Sequence, residues 1–239
     1  LGGGRVKFLP RTVRDPEYPD KAGERHDGRD LTREWQTRYP KSAYVWNKAQ
    51  LDAVDTKQVR HLLGLFQPSH MQYEHDRGKD GAGEPSLAEM TGKALDMLAQ
   101  HPKGYFLMVE GGRIDHAHHA GNAFRALTDT VEFARAVKLG MERTDLRDTL
   151  IIVTADHSHT FSIAGYPRRG NPILGKVIEP GHPTKEYATD ALGQPYTTLG
   201  YVNGPGYSGQ SIAQPEGPKK FPHHGPGFHG ITKGRPDLA

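Results

Sequence analysis

The sequence contains no cysteine, which excludes a disulfide framework, a thiolate zinc site, an iron–sulfur cluster and a cysteine nucleophile. It has no apolar run near the roughly 20 residues that a membrane-crossing helix needs, and only 35% of its 239 residues are hydrophobic. An excess of charge is lacking too: 31 Lys and Arg face 28 Asp and Glu, a net charge of +3. The basic residues are scattered among acids, with no stripe of Lys and Arg interleaved with aromatics, so a nucleic-acid partner is not expected. No secretory leader is visible, and the chain opens at Leu1 directly into Gly2-Gly3-Gly4, a start that reads as the middle of a longer protein.

What is abundant is histidine, with 14 residues, a frequent metal ligand that also titrates near neutrality. Glycine and proline, 29 and 18 residues, are much denser from residue 161 onward. That shift divides the chain into residues 1–164 and a loop-rich region, residues 165–239. Within the latter, residues 197–202 read as a strand, Asn203-Gly204-Pro205-Gly206 as a turn, and residues 215–230 as a long loop. The tail histidines His182, His223, His224 and His229 read as solvated loop residues.

Upstream, residues 105–109 and 150–154 are short continuous apolar runs, the pattern of buried parallel strands. Between them Ala120, Phe124, Leu127, Val131 and Ala134 recur at steps of four and three, predicting a helix over about residues 120–140. Strand, helix and strand make a βαβ unit with a right-handed crossover. Further helices are expected over residues 86–99, 31–38 and 47–53. The fold class is α/β, part of a largely parallel sheet flanked by helices.

In open α/β sheets functional groups collect beyond the carboxyl ends of the strands. The first run leads into Glu110-Gly111-Gly112-Arg113-Ile114-Asp115-His116-Ala117-His118-His119, the second into Asp156-His157-Ser158-His159. His119 follows Asp115 by four residues where a helix begins, a spacing that can put both side chains on one metal. Imidazole with carboxylate oxygens suits zinc, whereas a lone carboxylate such as Glu110 suits magnesium. Taken singly, each piece has an ordinary structural explanation, from a capped helix start to an incidental Asp-His pair. Together they point to a metal centre, and two zinc ions about 4 Å apart would serve in-line phosphoryl transfer.

These same residues, Val109 to His119 and Val153 to His159, resemble the alkaline phosphatase family. Flanking matches include Leu1-Gly2-Gly3-Gly4-Arg5, Asp15-Pro16-Glu17-Tyr18-Pro19, Tyr44-Val45-Trp46-Asn47, Gly64-Leu65-Phe66, Gly165-Tyr166-Pro167 and Asn203-Gly204-Pro205-Gly206-Tyr207. The resemblance implies that Glu110 is a magnesium ligand, that Asp115 and His119 hold one zinc, and that Asp156 and His157 hold a second. His116 falls where members vary between Lys and His near the phosphate, and His116 and His159 are expected just outside the metal ligands. Glu17, the Phe66 carbonyl, Gln67 and Glu84 fall at a calcium site of animal members, with Gln67 where those members have an acid, a change that lowers calcium affinity.

The family's Asp-Ser-Ala nucleophile motif does not occur in the sequence, nor does its later His-x-Gly-Glu-Asp zinc-ligand motif. The chain therefore reads as a central-to-late portion of an alkaline phosphatase, with no catalytic nucleophile of its own and residues from about 165 matching the small crown region. Its parent would hydrolyse phosphate monoesters through a phosphoserine intermediate, as a homodimer in the periplasm or outside the cell. A non-catalytic metal-binding or interaction module remains an alternative, as does a related sulfatase or phosphodiesterase.

Overall fold

The computed structural model describes residues 1–182, 186–190 and 193–201. The turn at 203–206, the loop at 215–230, and His223, His224 and His229 lie outside the described residues, as does much of the region from 165 on. The elements in chain order are α1 (Leu31–Arg38), β1 (Ser42–Val45), α2 (Lys48–Asp52), β2 (His61–Gly64), α3 (Glu74–Arg77), α4 (Leu87–Leu98), α5 (Arg113–His119), α6 (Ala123–Arg143), β3 (Phe161–Ile163) and β4 (Leu199–Tyr201). They fall into two compact units, one of Leu1–Arg113 with Asp129–Val153, the other of Ile114–Thr128 with the chain from Thr154.

In the first unit β1 and β2 pair in parallel, Ser42 opposite His61 through Val45 opposite Gly64. Helices accompany this small α/β sheet. Val45, Leu51 and Phe66 form its buried cluster, with Leu62, Met71 and Met90 packed against them. Local chemistry sets the helix starts. The Asp30 carboxylate accepts from the N–H groups of Thr32 and Arg33 at the start of α1, and Ser86 with Glu89 forms a capping box for α4, each satisfying donors that a helix start leaves open. Glu132 on α6 accepts from Ala88 N at 3.0 Å, and Arg143 pairs with Asp96, fastening α6 to α4.

The two runs expected to be strands, residues 105–109 and 150–154, are not strands. Neither joins a hydrogen-bonded ladder among the described residues, and most of their side chains stand in solvent, Phe106 at 88% and Leu150 at 83% exposure. An apolar run becomes a buried strand only when neighbours take its backbone N–H and C=O groups and cover its faces. The expected βαβ unit is thus reduced to its helix, and the parallel pairing resides in β1 and β2 instead.

The second unit is built on α5, the first turns of α6 and the antiparallel pair β3–β4, with Phe161 opposite Tyr201. Ala123, Leu199 and Tyr201 make its buried cluster, joined by Leu127, Phe161 and Leu174. α5 ends in a Schellman turn. Gly121 adopts φ 62°, its N–H donates to His118 O, and Asn122 N donates to Ala117 O, a left-handed step that glycine takes without steric cost. The Asn122 side chain then accepts from Arg125 N at 3.1 Å, so two residues close one helix and open the next.

Candidate metal centre

α5 carries Asp115 and His119 one turn apart, and its i,i+4 spacing brings His119 Nε2 to 3.4 Å from Asp115 Oδ1. The irregular segment before β3 adds His159 Nε2 at 3.0 Å from that oxygen and His157 Nε2 at 3.6 Å. Three imidazole nitrogens thus surround one carboxylate oxygen. Asp115 Oδ1 is itself buried and has no hydrogen-bond partner, a costly arrangement unless a cation or a proton-bearing group completes it. Among the described residues, Asp115, His119 and His159 form the one group of three or more metal-binding side chains whose ligand atoms all lie within 4.8 Å of one another. One carboxylate oxygen with imidazole nitrogens is a zinc-type donor set, so the residues fit that metal.

The other anticipated ligands are placed less centrally. Asp156 is 89% exposed at its side chain, with Oδ2 3.6 Å from His157 Nε2 and Oδ1 accepting from the His157 backbone N–H at 3.1 Å. It therefore contacts its chain neighbour and does not join the group at Asp115. Glu110 is exposed and belongs to the first unit, where its carboxylate folds back over Gly112, within 3.4 Å of where a Cβ there would stand. His116 lies on α5, half-buried.

The electrostatics separate the imidazoles. The hydrogen bond to the Ser158 carbonyl, with help from Asp156, raises the His157 pKa above the usual imidazole value. Burial, reinforced by His159, lowers that of His118.

Far less exposed is a carboxylate cluster in the first unit. Arg5 is fully buried and donates through Nε and Nη2 to both oxygens of Asp15, at 2.8 Å each, and through Nη2 to Glu17 Oε2 at 2.8 Å. Its Nη1 donates to the Leu65 carbonyl at 3.1 Å. Burial pushes the Asp15 carboxyl up, but Arg5 and the N–H groups of Tyr18 and Glu17 outweigh it and hold the pKa below the usual range. The next acids are less well compensated. Burial, with Asp80 adding to it against Arg5, raises Glu17, and burial pushes Glu84 up to about 7 despite the hydrogen bond from Gln72 N. Glu17 Oε1, Asp80 Oδ2 and Glu84 Oε2 are each buried without a hydrogen-bond partner.

Gln67, anticipated as a calcium ligand, donates through Nε2 to Asp80 Oδ1 at 2.6 Å. Asp80 is the acid that sequence reading missed, and its only signal was a lone carboxylate in the Gly-rich stretch before Glu84. Phe66, next to Gln67 in the chain, is fully buried, and its N–H donates to Gly2 O at 2.7 Å.

Comparison with known proteins identifies the family. Residues 1–220 match the model of the family described as alkaline phosphatase. The chain is similar to the tissue-nonspecific alkaline phosphatase isozymes of Gallus gallus, 46% identical, and Homo sapiens, 45% identical, over 87% of this chain and 39% of each relative. An alkaline phosphatase of Gadus morhua is 42% identical over 87% of this chain and 42% of its own length. A crystal structure of Thermus thermophilus alkaline phosphatase overlaps 58% of this chain and 26% of that one, with TM-score 0.49 and 35% identity. The chain spans about two fifths of the length of the curated relatives it matches. With a family model covering nearly all of its residues and a carboxylate–imidazole cluster where the two motifs meet, the chain belongs to the alkaline phosphatase family.

Proposed function

We propose that the chain supplies metal-binding residues to the catalytic centre of a phosphomonoesterase. The observation that carries this is the buried Asp115 Oδ1, which lacks a hydrogen-bond partner and has three imidazole nitrogens about it. Asp115 and His119 would hold one zinc, Asp156 and His157 a second, and Glu110 a magnesium ion.

Zinc, when bound, supplies a Lewis acid for a phosphoryl oxygen. The chain's own residues bind and orient it. The Asp115 carboxylate supplies the negative charge that offsets the cation. His119 would offer an imidazole lone pair to the first ion and His157 one to the second, and α5 fixes Asp115 and His119 through its backbone hydrogen bonds rather than through a mobile loop. The serine that attacks phosphorus would come from chain outside these 239 residues.

A hard cation such as calcium is proposed at Glu17, Asp80 and Glu84 with the Phe66 carbonyl. Support comes from their three orphaned oxygens, since calcium takes about six to eight oxygen ligands in a flexible shell. In this reading Gln67 orients Asp80 and is not itself a ligand. The three acids are more widely spaced than the Asp115 group.

The substrate would be a phosphate monoester, and the parent a homodimer acting in the periplasm or outside the cell, with residues 165–239 forming its crown region. No helix among the described residues is long and apolar enough to cross a membrane. The comparisons favour neither a sulfatase or phosphodiesterase nor a non-catalytic module.

The test is to load the chain with zinc and follow both metal retention and release of phosphate from p-nitrophenyl phosphate. Tight zinc binding with negligible turnover is expected. Turnover near that of the full-length relatives would refute the assignment of the nucleophile to other chain, and failure to bind zinc would refute the metal centre.

A further inference from the structure

The second unit buries a tyrosine close to the proposed zinc ligands. Tyr201 is 2% exposed and stands opposite Phe161 in the β3–β4 ladder, with the two ring centroids 5.3 Å apart. Phe161 follows His159 by two residues, so the ladder fixes where the segment bearing His157 and His159 ends. The Tyr201 hydroxyl lies 2.9 Å from His118 Nδ1. His118 belongs to the same helix as Asp115 and His119, yet it does not join their ligand group. Its ring stacks on His159 instead, with centroids 4.7 Å apart and planes 30° from parallel, and Phe161 packs against it at 4.9 Å. His159 in turn reaches Asp115 Oδ1 at 3.0 Å. A continuous set of contacts therefore runs from a buried hydroxyl to the carboxylate at the heart of the site.

We infer that Tyr201 and His118 are positioning residues for the metal centre: the Tyr201 hydroxyl fixes the His118 ring, and the face of that ring holds His159 against Asp115. The inference rests on the reading of Asp115 and His119 as metal ligands.

Its physical basis is the difference between the two segments that meet there. Asp115 and His119 are oriented by a helix, whereas His159 lies on irregular chain, where its two side-chain torsions are costly to fix without a packed neighbour. A stacked ring supplies that neighbour only if it is itself held. A neutral imidazole has one donor and one acceptor nitrogen, and the hydroxyl at Nδ1 fixes which edge of His118 faces the strand pair. Partners that orient ligands from outside typically change metal affinity by about 10- to 100-fold.

The experiment compares the full 239-residue chain with Tyr201→Phe, which keeps the ring packed on Phe161 and removes only the hydroxyl. Zinc affinity is read by competition with a chelating dye, and site geometry by the visible absorption of the cobalt(II)-substituted protein. The expected result is zinc binding weakened by about tenfold and a changed cobalt spectrum, with apo-protein melting altered by no more than about 4 °C. His118→Phe keeps the ring face and removes Nδ1. It should weaken zinc by a similar factor, and the double variant should lose no more than either single one, as expected of residues acting through one contact. Should Tyr201→Phe not fold, His118→Phe reads the same contact alone.

Unchanged zinc affinity and an unchanged cobalt spectrum in these variants, while His119→Ala loses the metal, would overturn the inference. If His119→Ala binds zinc as tightly as the parent chain, the metal-centre reading itself fails, and the inference with it.

Discussion

Two clusters of charged and ligating side chains, one in each unit, solve opposite problems. Around Arg5 the acids are buried, and a guanidinium neutralises Asp15 and half of Glu17, so this cluster is first a structural one. Around Asp115 the imidazoles are partly open to solvent: His119 is 70% and His157 54% exposed at the side chain. His159, at 16%, and the single oxygen they surround are the hidden parts. A buried ion pair holds a fold only while both partners remain, whereas half-open imidazoles around one hidden oxygen can accept an ion from solution. The difference indicates which cluster should fail by unfolding and which by losing a ligand.

The largest effect that would break this comparison is on the buried side. Arg5→Ala leaves Asp15 and Glu17 buried without their cation and should cost about 3–5 kcal/mol, read by urea unfolding of the apo chain. A loss below about 1 kcal/mol would mean that the cluster is not structural. Next in size, Asp115→Asn should weaken zinc by more than about 100-fold while leaving the apo chain's urea midpoint nearly unchanged, which isothermal titration and the same unfolding curve check together.

A smaller effect separates the acids with an orphaned oxygen from the Arg5–Asp15 pair. Calcium should raise the melting temperature of the chain by several degrees, in line with about 4 °C or less per kcal/mol at this chain length, and Asp80→Asn should reduce that rise, whereas Gln67→Leu should reduce it less.

The smallest effect concerns pH. Asp129 in the first unit is pushed up to about 6 by burial, against the hydrogen bond it accepts from Glu74 N. A carboxyl whose folded pKa lies above its unfolded value, near 3.8, is protonated in the folded chain while already ionised in the unfolded one. Its contribution is therefore fully present below about 3.8 and is lost as pH rises through about 6. Melting in chelator should fall across that window, and Asp129→Asn should flatten part of the fall. A melting temperature that rises with pH there, unaltered by the substitution, would contradict the assignment.

Much of this was legible in the sequence, for identifiable reasons. α1, α4 and α6 follow from capping residues such as Asp30 and Ser86 and from apolar spacing along each helix, because a helix satisfies its own backbone. The runs at 105–109 and 150–154 misled because strand formation depends on partners that the run itself does not specify. β1 and β2 escaped notice because four residues each are too few to show a pattern. At the site, Asp115 and His119 were readable from helical spacing. The approach of His159 to within 3.0 Å of Asp115 was not, since it depends on where β3 pairs with a strand far along the chain. Asp80 was hidden for a similar reason: in a Gly-rich loop an acid looks solvated until the fold brings Gln67 to it.

Everything proposed for the second unit depends on α5 and the segment before β3 holding a metal through Asp115 and imidazoles. Zinc K-edge X-ray absorption of the zinc-loaded chain, alongside His119→Ala, tests this most directly. The expected shell holds nitrogen and oxygen ligands only, at about 2.0–2.2 Å, with imidazole scattering that diminishes by one ring in the variant. An identical spectrum in the variant, or a shell without imidazole, would contradict it.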